Sequence, residues 1–229
     1  MISVIIPTLN AEATLGETLS CLVPAAVEGL VKEVIVVDGG STDATARLVD
    51  GAGATLLTAP KGRGSQLAVG AAKARFQWLL FLHADTVLDA GWEREAGTFI
   101  DRIEAGRRAP SAAAFRFALD DMGFKARLLE ALVSLRCSVL GVPYGDQGLL
   151  MPAALYREVG GYRPMPLMED VDMVRRLGWR RIVMLRAHAV TSAERFRAQG
   201  YVRRSARNLF CLGLYTLRVP PRLIHRIYG

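Results

Sequence analysis

Through the first 90 residues, short continuous runs of apolar side chains are separated by polar, glycine-bearing breaks. Ile2 to Ile6 ends at Pro7, and Glu33 to Val37 ends at Asp38-Gly39-Gly40. Ala54 to Thr58 is shorter, and Trp78 to Leu82 ends at His83-Ala84-Asp85. Strands that are apolar without alternation are buried on both faces, the pattern of a parallel sheet. Helix-period patterns fill the intervals at residues 11–22, 42–49 and 64–75, and Ser41 or Asp43 is placed to cap the second. Strand and helix in alternation predict a doubly wound α/β half, in which ligands sit at the carboxyl ends of the strands. Those ends here read Thr8-Leu9-Asn10, Asp38-Gly39-Gly40-Ser41 and His83-Ala84-Asp85.

The second half is less regular. Ser111 to Leu119 reads as a strand and Phe124 to Leu140 as an amphipathic helix. Gly145-Asp146-Gln147-Gly148 is a loop before the apolar run Leu149-Leu150-Met151. A short helix ends at Arg157 to Gly161, a proline-rich loop covers 163–166, and Glu169-Asp170-Val171-Asp172 opens a helix that Gly178 caps. No repeat or linker divides the chain, so one domain is expected. Its 229 residues, 51% apolar and 22% charged, exclude wholesale disorder. No apolar stretch reaches the ~18 residues that a membrane span needs, and the N-terminus reads as a strand rather than a signal peptide. Cys21, Cys137 and Cys211 are far apart, which argues against a disulfide scaffold or zinc site and fits a reducing cytoplasm.

Charge changes the picture. The net charge is +7, but residues 173–229 hold 13 of the 29 basic residues, all arginine, against the single acid Glu194. This arginine-rich tail is suited to something anionic, or forms a solvated helix face.

Four constellations carry candidate chemistry. Asp38, at a strand end before two glycines, can accept from a nucleobase N–H or a ribose hydroxyl, or simply organise a turn. Lys61-Gly62-Arg63-Gly64-Ser65-Gln66 opens a helix whose free N–H groups and cations favour phosphate, although it matches neither of the common glycine-rich phosphate-binding motifs. Asp85, after a buried strand, can hold a divalent metal through one oxygen while substrate phosphates and water complete the shell. The fourth is Glu169-Asp170 with Asp172, adjacent carboxylates suited to general-base work or to helix capping.

Ser3-Val4-Ile5-Ile6-Pro7-Thr8-Leu9-Asn10 and Glu33-Val34-Ile35-Val36-Val37-Asp38-Gly39-Gly40-Ser41-Thr42-Asp43 resemble the opening of family 2 glycosyltransferases. Gly62-Arg63-Gly64, Leu82-His83-Ala84-Asp85, Gly160-Gly161-Tyr162 and Met168-Glu169-Asp170 follow in the family's order. The full pattern is similar to a small soluble bacterial subgroup, some members of which are linked to arsenosugar or other unusual glycoside biosynthesis. The resemblance implies an α/β, Rossmann-like glycosyltransferase A-type fold that binds a nucleotide sugar, with a mixed, mostly parallel central sheet flanked by helices. It implies a nucleotide-binding half at 1–90, an acceptor and catalytic half at 91–190, and basic amphipathic C-terminal helices at 191–229. Pro7, Leu9, Glu12, Asp38, Gly39, Arg63, Gln66 and Ala84 would bind the nucleotide. Asp85, with His188 as a weaker candidate, would hold Mn²⁺ or Mg²⁺. Asp170 would be the base, with Glu169 beside it, and Asp146 and Gln147 would meet the sugar or acceptor, or form a plain turn.

His83 stands where the family's Asp-X-Asp motif has its first acid, so the metal grip is expected to rest on one carboxylate. The motif of processive members is missing, so a single inverting transfer from a nucleotide diphosphate sugar to an acceptor hydroxyl is expected, in the cytoplasm. The basic tail either packs back on the core or a second subunit, or lies on an anionic membrane. A sugar-phosphate nucleotidyltransferase would carry a glycine-rich loop after the first strand, where none stands before Gly16. A nucleic-acid binder would pair its arginines with regular aromatic residues, which the tail lacks. The reading requires Asp38, Asp85 and Asp170 to surround one cavity.

Overall fold

The first strand, β1 (Ile2–Thr8), is buried along its whole length, as its unbroken apolar run requires. In the computed structural model, which describes residues 1–140 and 143–228, it lies between two parallel neighbours, β2 (Val31–Asp38) and β4 (Trp78–Phe81). β3 (Thr55–Thr58) extends this parallel group beyond β2. Four further strands continue the same sheet: β5 (Thr86–Leu88), β6 (Ala112–Leu119), β7 (Leu149–Pro152) and β8 (Ile182–Thr191). The order is β3-β2-β1-β4-β7-β6-β8-β5. β7 runs antiparallel to β4 and β6, β8 is parallel to β6, and β5 is antiparallel to β8. This is the mixed sheet expected, with helices on both faces.

Alternate residues of each central strand feed two apolar cores. Val4, Ile6, Leu80 and Leu82 pack on one side with α1 (Leu15–Ser20), α2 (Val23–Val27) and α5 (Trp92–Glu104), whose Trp92, Ala96, Phe99 and Ile100 form the inward face. Ile5, Ile35, Val37, Leu79 and Phe81 pack on the other with Leu67 of α4 (Arg63–Lys73), Leu155 of α7 (Ala153–Glu158), and Met173 and Leu177 of α8 (Glu169–Leu177). Gly178, with φ +79°, ends α8 as expected. α3 (Thr45–Gly51) has Ala44 rather than Ser41 or Asp43 at its N-cap, with no side-chain cap bond; Asp43 instead forms a turn just ahead of it, accepting from the Thr45 amide at 3.0 Å.

The predicted helix at 11–22 starts later, at Leu15, for a local reason. Asn10 (φ +50°) and Glu12 are pinned to the following loop, Asn10 Oδ1 accepting from the Thr42 amide and Glu12 Oε2 from the Ala44 amide. The expected helix α6 (Phe124–Leu140) is present but is not cleanly amphipathic: Ala126, Leu129 and Val133 pack with Phe196 and Tyr201 of the tail, while Phe124, Leu128, Leu132 and Leu135 are exposed.

The tail forms α9 (Glu194–Gln199), α10 (Tyr201–Thr216) and α11 (Pro221–Tyr228), and it folds back on the core. Asp121 anchors it, accepting from the Tyr201 hydroxyl at 2.7 Å and Arg197 Nε at 3.2 Å. Asp172 of α8 adds a second tie to α10 through the Tyr215 hydroxyl. Among the described residues, no helix is long and apolar enough to cross a membrane.

One close approach positions the second half against the first. A Cβ on Gly64, in the first turn of α4, would lie 2.2 Å from the Arg163 carbonyl oxygen and 3.1 Å from the Met165 amide nitrogen. Only glycine allows the proline-rich loop to press on α4, and that loop delivers α8 to the sheet end. Gly64→Ala is therefore expected to cost about 1–3 kcal/mol through overpacking, read from chemical denaturation, and to weaken nucleotide binding as the loop is displaced.

The Tyr201 hydroxyl, the Gly123 amide and Arg197 hold the Asp121 carboxyl down to about 2 from an ordinary 3.8. A folded-state value below the unfolded one contributes stability that is full above the unfolded value and lost as pH falls through the folded one. Tail docking should therefore loosen as pH falls from 3.8 toward 2, seen as faster amide exchange in α9 and α10. Asp121→Asn should give that fast exchange already at neutral pH.

Candidate active site

The carboxyl ends of β1, β2 and β4 lie side by side, and two adjoining clefts open there. The first is lined by Pro7, Thr8, Leu9, Lys61, Gln66 and Ala84 among others. The second is lined by Tyr144, Asp146, Glu169 and Asp170, with Arg204, Asn208 and Tyr228 from the tail. Arg63, His83, Asp85 and Arg195 line both and so join them.

Backbone links assemble this junction from distant segments. The Ser192 amide donates to the Asp85 carbonyl at 3.3 Å, and the Thr191 hydroxyl donates to the Asp146 carbonyl at 3.3 Å. Thr86 and Thr191 pair through their hydroxyls at 3.2 Å. The end of β8 thereby brings Asp146 to the side of Asp85 and starts the tail so that Arg195 overhangs both clefts. From the other side, Met168, in left-handed conformation at φ +66°, turns the chain into α8 so that Glu169 and Asp170 stand in its first turn.

The electrostatics are dominated by carboxylates brought together. Burial pushes the Asp146 carboxyl up to about 6, and the charges of Asp170 and Asp85 push the same way against Arg136 and Arg63. Burial likewise raises Glu169, with Arg63 opposing and Asp170 adding. Arg63 Nε lies 3.5 Å from Glu169 Oε1, and Glu169, Asp170, Tyr228 and Asp85 together hold the guanidinium charged against partial burial. Burial and the nearby Arg63 push His83 down to about 4, so its imidazole is neutral at neutral pH. Arg63 Nη1 donates to its Nε2 at 3.5 Å.

Several sequence-derived candidates converge and several do not. Pro7, Leu9, Arg63, Gln66 and Ala84 line the first cleft, Asp146, Glu169 and Asp170 the second, and Asp85 both. Gln66 lines its cleft with a committed amide: its Nε2 donates to the carbonyls of Thr8 and Val37, each at 2.7 Å, bracing β1 to β2.

Asp38, by contrast, lines neither cleft. Its Oδ2 accepts from the amides of Gly40 (2.9 Å) and Ser41 (2.8 Å), and its Oδ1 accepts from the Ser41 and Thr8 hydroxyls. Burial opposes and these donors outweigh it, holding the carboxyl below its ordinary range. The carboxylate is spent on the turn, so of the three acids expected around one cavity, Asp85 and Asp170 meet there and Asp38 stands behind Thr8. Gly39 also lies behind the wall, where a Cβ would sit 3.2 Å from Gln66 Nε2. Glu12 is exposed and clamps the Ala44 amide.

Gln147, 1% exposed, points away from its neighbour Asp146. Its Nε2 donates to the Phe115 carbonyl at 3.0 Å and its Oε1 accepts from the Tyr144 amide at 3.1 Å, fixing the turn Gly145–Gln147. His188 is not brought to Asp85: its Nδ1 is 2.7 Å from Asp89 Oδ2, and it lines a separate groove. Asp172 is tied to Arg176 at 2.7 Å and Arg163 at 3.4 Å, a structural acid.

Motif reading missed Tyr144, Arg195, Arg204, Asn208 and Tyr228. For the arginines a signal existed, the concentration of positive charge in the tail. Burial raises the Tyr144 hydroxyl to about 12, and the Arg136 guanidinium stacks on its ring at 3.8 Å.

Among the described residues, no group of three or more His, Cys, Asp or Glu side chains is preassembled around a metal position. The donor set still fits a hard divalent ion. Asp85 offers carboxylate oxygen at a cleft junction, and Mg²⁺-like ions commonly take one or two carboxylates and complete their shell with substrate phosphates and water. Asp146, raised chiefly by burial and further by Asp170 and Asp85, lines the same cleft as Asp85, and a cation there would favour its charged form.

Comparison with known proteins agrees with this geometry. A 95-residue segment, 38% of this chain, is 34% identical to glucosyl-3-phosphoglycerate synthase of Mycolicibacterium paratuberculosis, covering 29% of that protein's length. The Mycobacterium tuberculosis glucosyl-3-phosphoglycerate synthase, solved with Mn²⁺, uridine diphosphate and glucosyl-3-phosphoglycerate, matches with a TM-score of 0.56 at 23% identity, over 83% of this chain and 70% of that one. Residues 1–349 of Staphylococcus aureus TarS match with a TM-score of 0.63 at 17% identity, over 99% of this chain and 69% of that one. These two likenesses establish the glycosyltransferase A-type fold. Residues 3–121, more than half of the protein, match the family described as glycosyl transferase family 2, and the chain belongs to that family of glycosyltransferases.

Proposed function

We propose that this glycosyltransferase moves one sugar from a nucleoside diphosphate sugar to an acceptor hydroxyl with inversion at the anomeric carbon, Asp170 serving as general base. The observation that carries the reading is the continuity of the two clefts through Arg63, His83, Asp85 and Arg195, with Asp170 in the second. A nucleotide laid in the first cleft, against Pro7, Leu9 and Ala84, puts its diphosphate at this junction and its sugar beside Asp170 and Asp146. Uridine diphosphate is the natural first candidate, being the nucleotide held by the M. tuberculosis relative.

At the junction, Asp85 would hold Mn²⁺ or Mg²⁺, which supplies charge neutralisation for the departing diphosphate when bound. Arg63 and Arg195 add positive charge at the same place, where preorganised cations stabilise a leaving group without reorganising. Glu169 holds Arg63 in position from its buried side. Asp170 accepts the proton of the acceptor hydroxyl as that oxygen bonds to the anomeric carbon and the bond to the diphosphate oxygen breaks. A direct displacement needs no enzyme nucleophile, and it inverts the anomeric configuration. Neutral His83 leaves the metal site with one carboxylate rather than two, so nucleotide phosphates must complete it and metal and nucleotide should bind together.

Asp170→Asn is expected to lower turnover by about 10²–10⁴-fold, while uridine diphosphate affinity measured by titration calorimetry stays within a factor of a few. Near-normal turnover in that variant would move the base elsewhere. Asp85→Asn should remove the dependence of uridine diphosphate affinity on Mn²⁺, leaving only the weak metal-free binding. An unchanged metal dependence would place the ion on other ligands.

A further inference from the structure

The cleft that holds Asp170 has a second wall of opposite character. Arg204, Asn208 and Leu212, spaced four residues apart along one face of α10, line it together with Tyr228. Arg204 Nη1 donates to Gln199 Oε1 at 3.2 Å, and Arg207 Nη2 donates to the same oxygen at 2.6 Å. The Arg204 guanidinium also lies over the Phe196 ring at 4.9 Å, and that of Arg207 over Tyr228 at 4.8 Å. Two guanidiniums are thus held in place by aromatic rings and share one neutral amide oxygen.

Among the described residues, neither guanidinium has a carboxylate within ion-pair distance. Nε of Arg204, Nε of Arg207 and Oδ1 of Asn208 are all buried without a hydrogen-bond partner. A buried donor left unsatisfied costs about 1–3 kcal/mol, and here two such donors, Nε of Arg204 and Nε of Arg207, lie on one stretch of helix that carries two like charges. Burial, Arg195 and Arg207 all disfavour the charge on Arg204, with Tyr228 and Asp146 opposing. An anion offsets the two like charges and accepts from guanidinium N–H groups, which offer parallel donors matched to phosphate or carboxylate oxygens. Arg204 and Asn208 enter the cleft from α10, and Asp170 enters it from α8. A molecule with an anionic end and a hydroxyl end has one favoured orientation in it.

We infer that the α10 wall is an acceptor subsite for an anionic group: the acceptor is an alcohol bearing a phosphate or carboxylate, held by Arg204 with Asn208, its hydroxyl turned to Asp170. The inference rests on the donor and base assignment above and names the acceptor class for it. The anionic group belongs either to a small free metabolite or to a lipid headgroup.

The test uses the full chain, first titrated with uridine diphosphate and Mg²⁺, which reads the donor assignment by itself. The saturated protein is then titrated with sn-glycerol 3-phosphate, glycerate and glycerol. The expected result is binding of the two anionic alcohols and none of glycerol. Arg204→Gln should weaken that binding about tenfold or more, with uridine diphosphate affinity unchanged. Asn208→Asp, which sets a carboxylate one turn from Arg204, should do the same with an unaltered melting temperature, and Arg203→Gln on the exposed side of α10 should have no effect. Sedimentation with phosphatidylglycerol vesicles separates the sources: Arg204-dependent binding that glycerol 3-phosphate competes away assigns a lipid headgroup, and its absence assigns a free metabolite. Anionic alcohols that bind no better than glycerol, or equally well to Arg204→Gln, would overturn the inference. Should uridine diphosphate itself fail to bind, the donor assignment falls, and the same three alcohols titrated into the nucleotide-free protein still decide the subsite.

Discussion

The first turn of α4 against the first turn of α8 is the contact on which the rest of the site depends. Gly64 lets the backbone at Arg163 and Met165 approach closer than any side chain would permit. Across the same contact, Arg63 meets Glu169 at 3.5 Å. The pair is half in solvent on the arginine side and buried on the glutamate side, so its worth lies less in stability than in registration. Removing the guanidinium would leave Glu169 buried beside Asp170 with nothing to offset it. The parallel-strand half and the half that carries α8 are consequently fixed relative to one another by steric fit, and the charge at the same place orients the arginine that reaches the clefts.

That registration explains how like charges are tolerated. Asp85 ends a strand of the parallel group, Asp146 sits in a turn held by Gln147, and Asp170 starts a helix, so each is placed by backbone that other interactions stabilise. Burial raises the Asp146 carboxyl most, and the charges of Asp170 and Asp85 add to it. Clustered, perturbed carboxylates are common where a ligand supplies compensating charge. The proposed donor with its divalent ion, and the proposed anionic acceptor, would bring such charge to the same cavity.

Much of the parallel-strand half was legible because β1, β4 and the end of β2 are buried on both faces and their carboxyl ends are polar. Asp85, just past β4, and Asp170, which a family motif marked, both line the second cleft. Asp38 was ambiguous, since an acid before two glycines has the same appearance whether it binds a ligand or organises a turn, and the coordinates show Gly40, Ser41 and Thr8 donating to it. Gln147 was ambiguous in the same way, and its amide holds the turn through Phe115 and Tyr144. The strand Ile182–Thr191 went unread because Arg186 and His188 interrupt its apolar pattern, their backbone or ring groups being satisfied by Glu95 and Asp89. The helix Trp92–Glu104 does carry a helix-period face, so its signal was present in the sequence. The tail's arginines left an anionic partner and a solvated face both open, because their placement depends on how α9 and α10 fold back.

Gln199 closes α9 directly before Gly200, and its single side-chain oxygen serves both Arg204 and Arg207. A carboxylate in place of that amide, as in Gln199→Glu, would put a full negative charge between the two guanidiniums and close them into a salt-bridged triad. The proposed anion subsite would then be filled from within the chain, with the fold left intact.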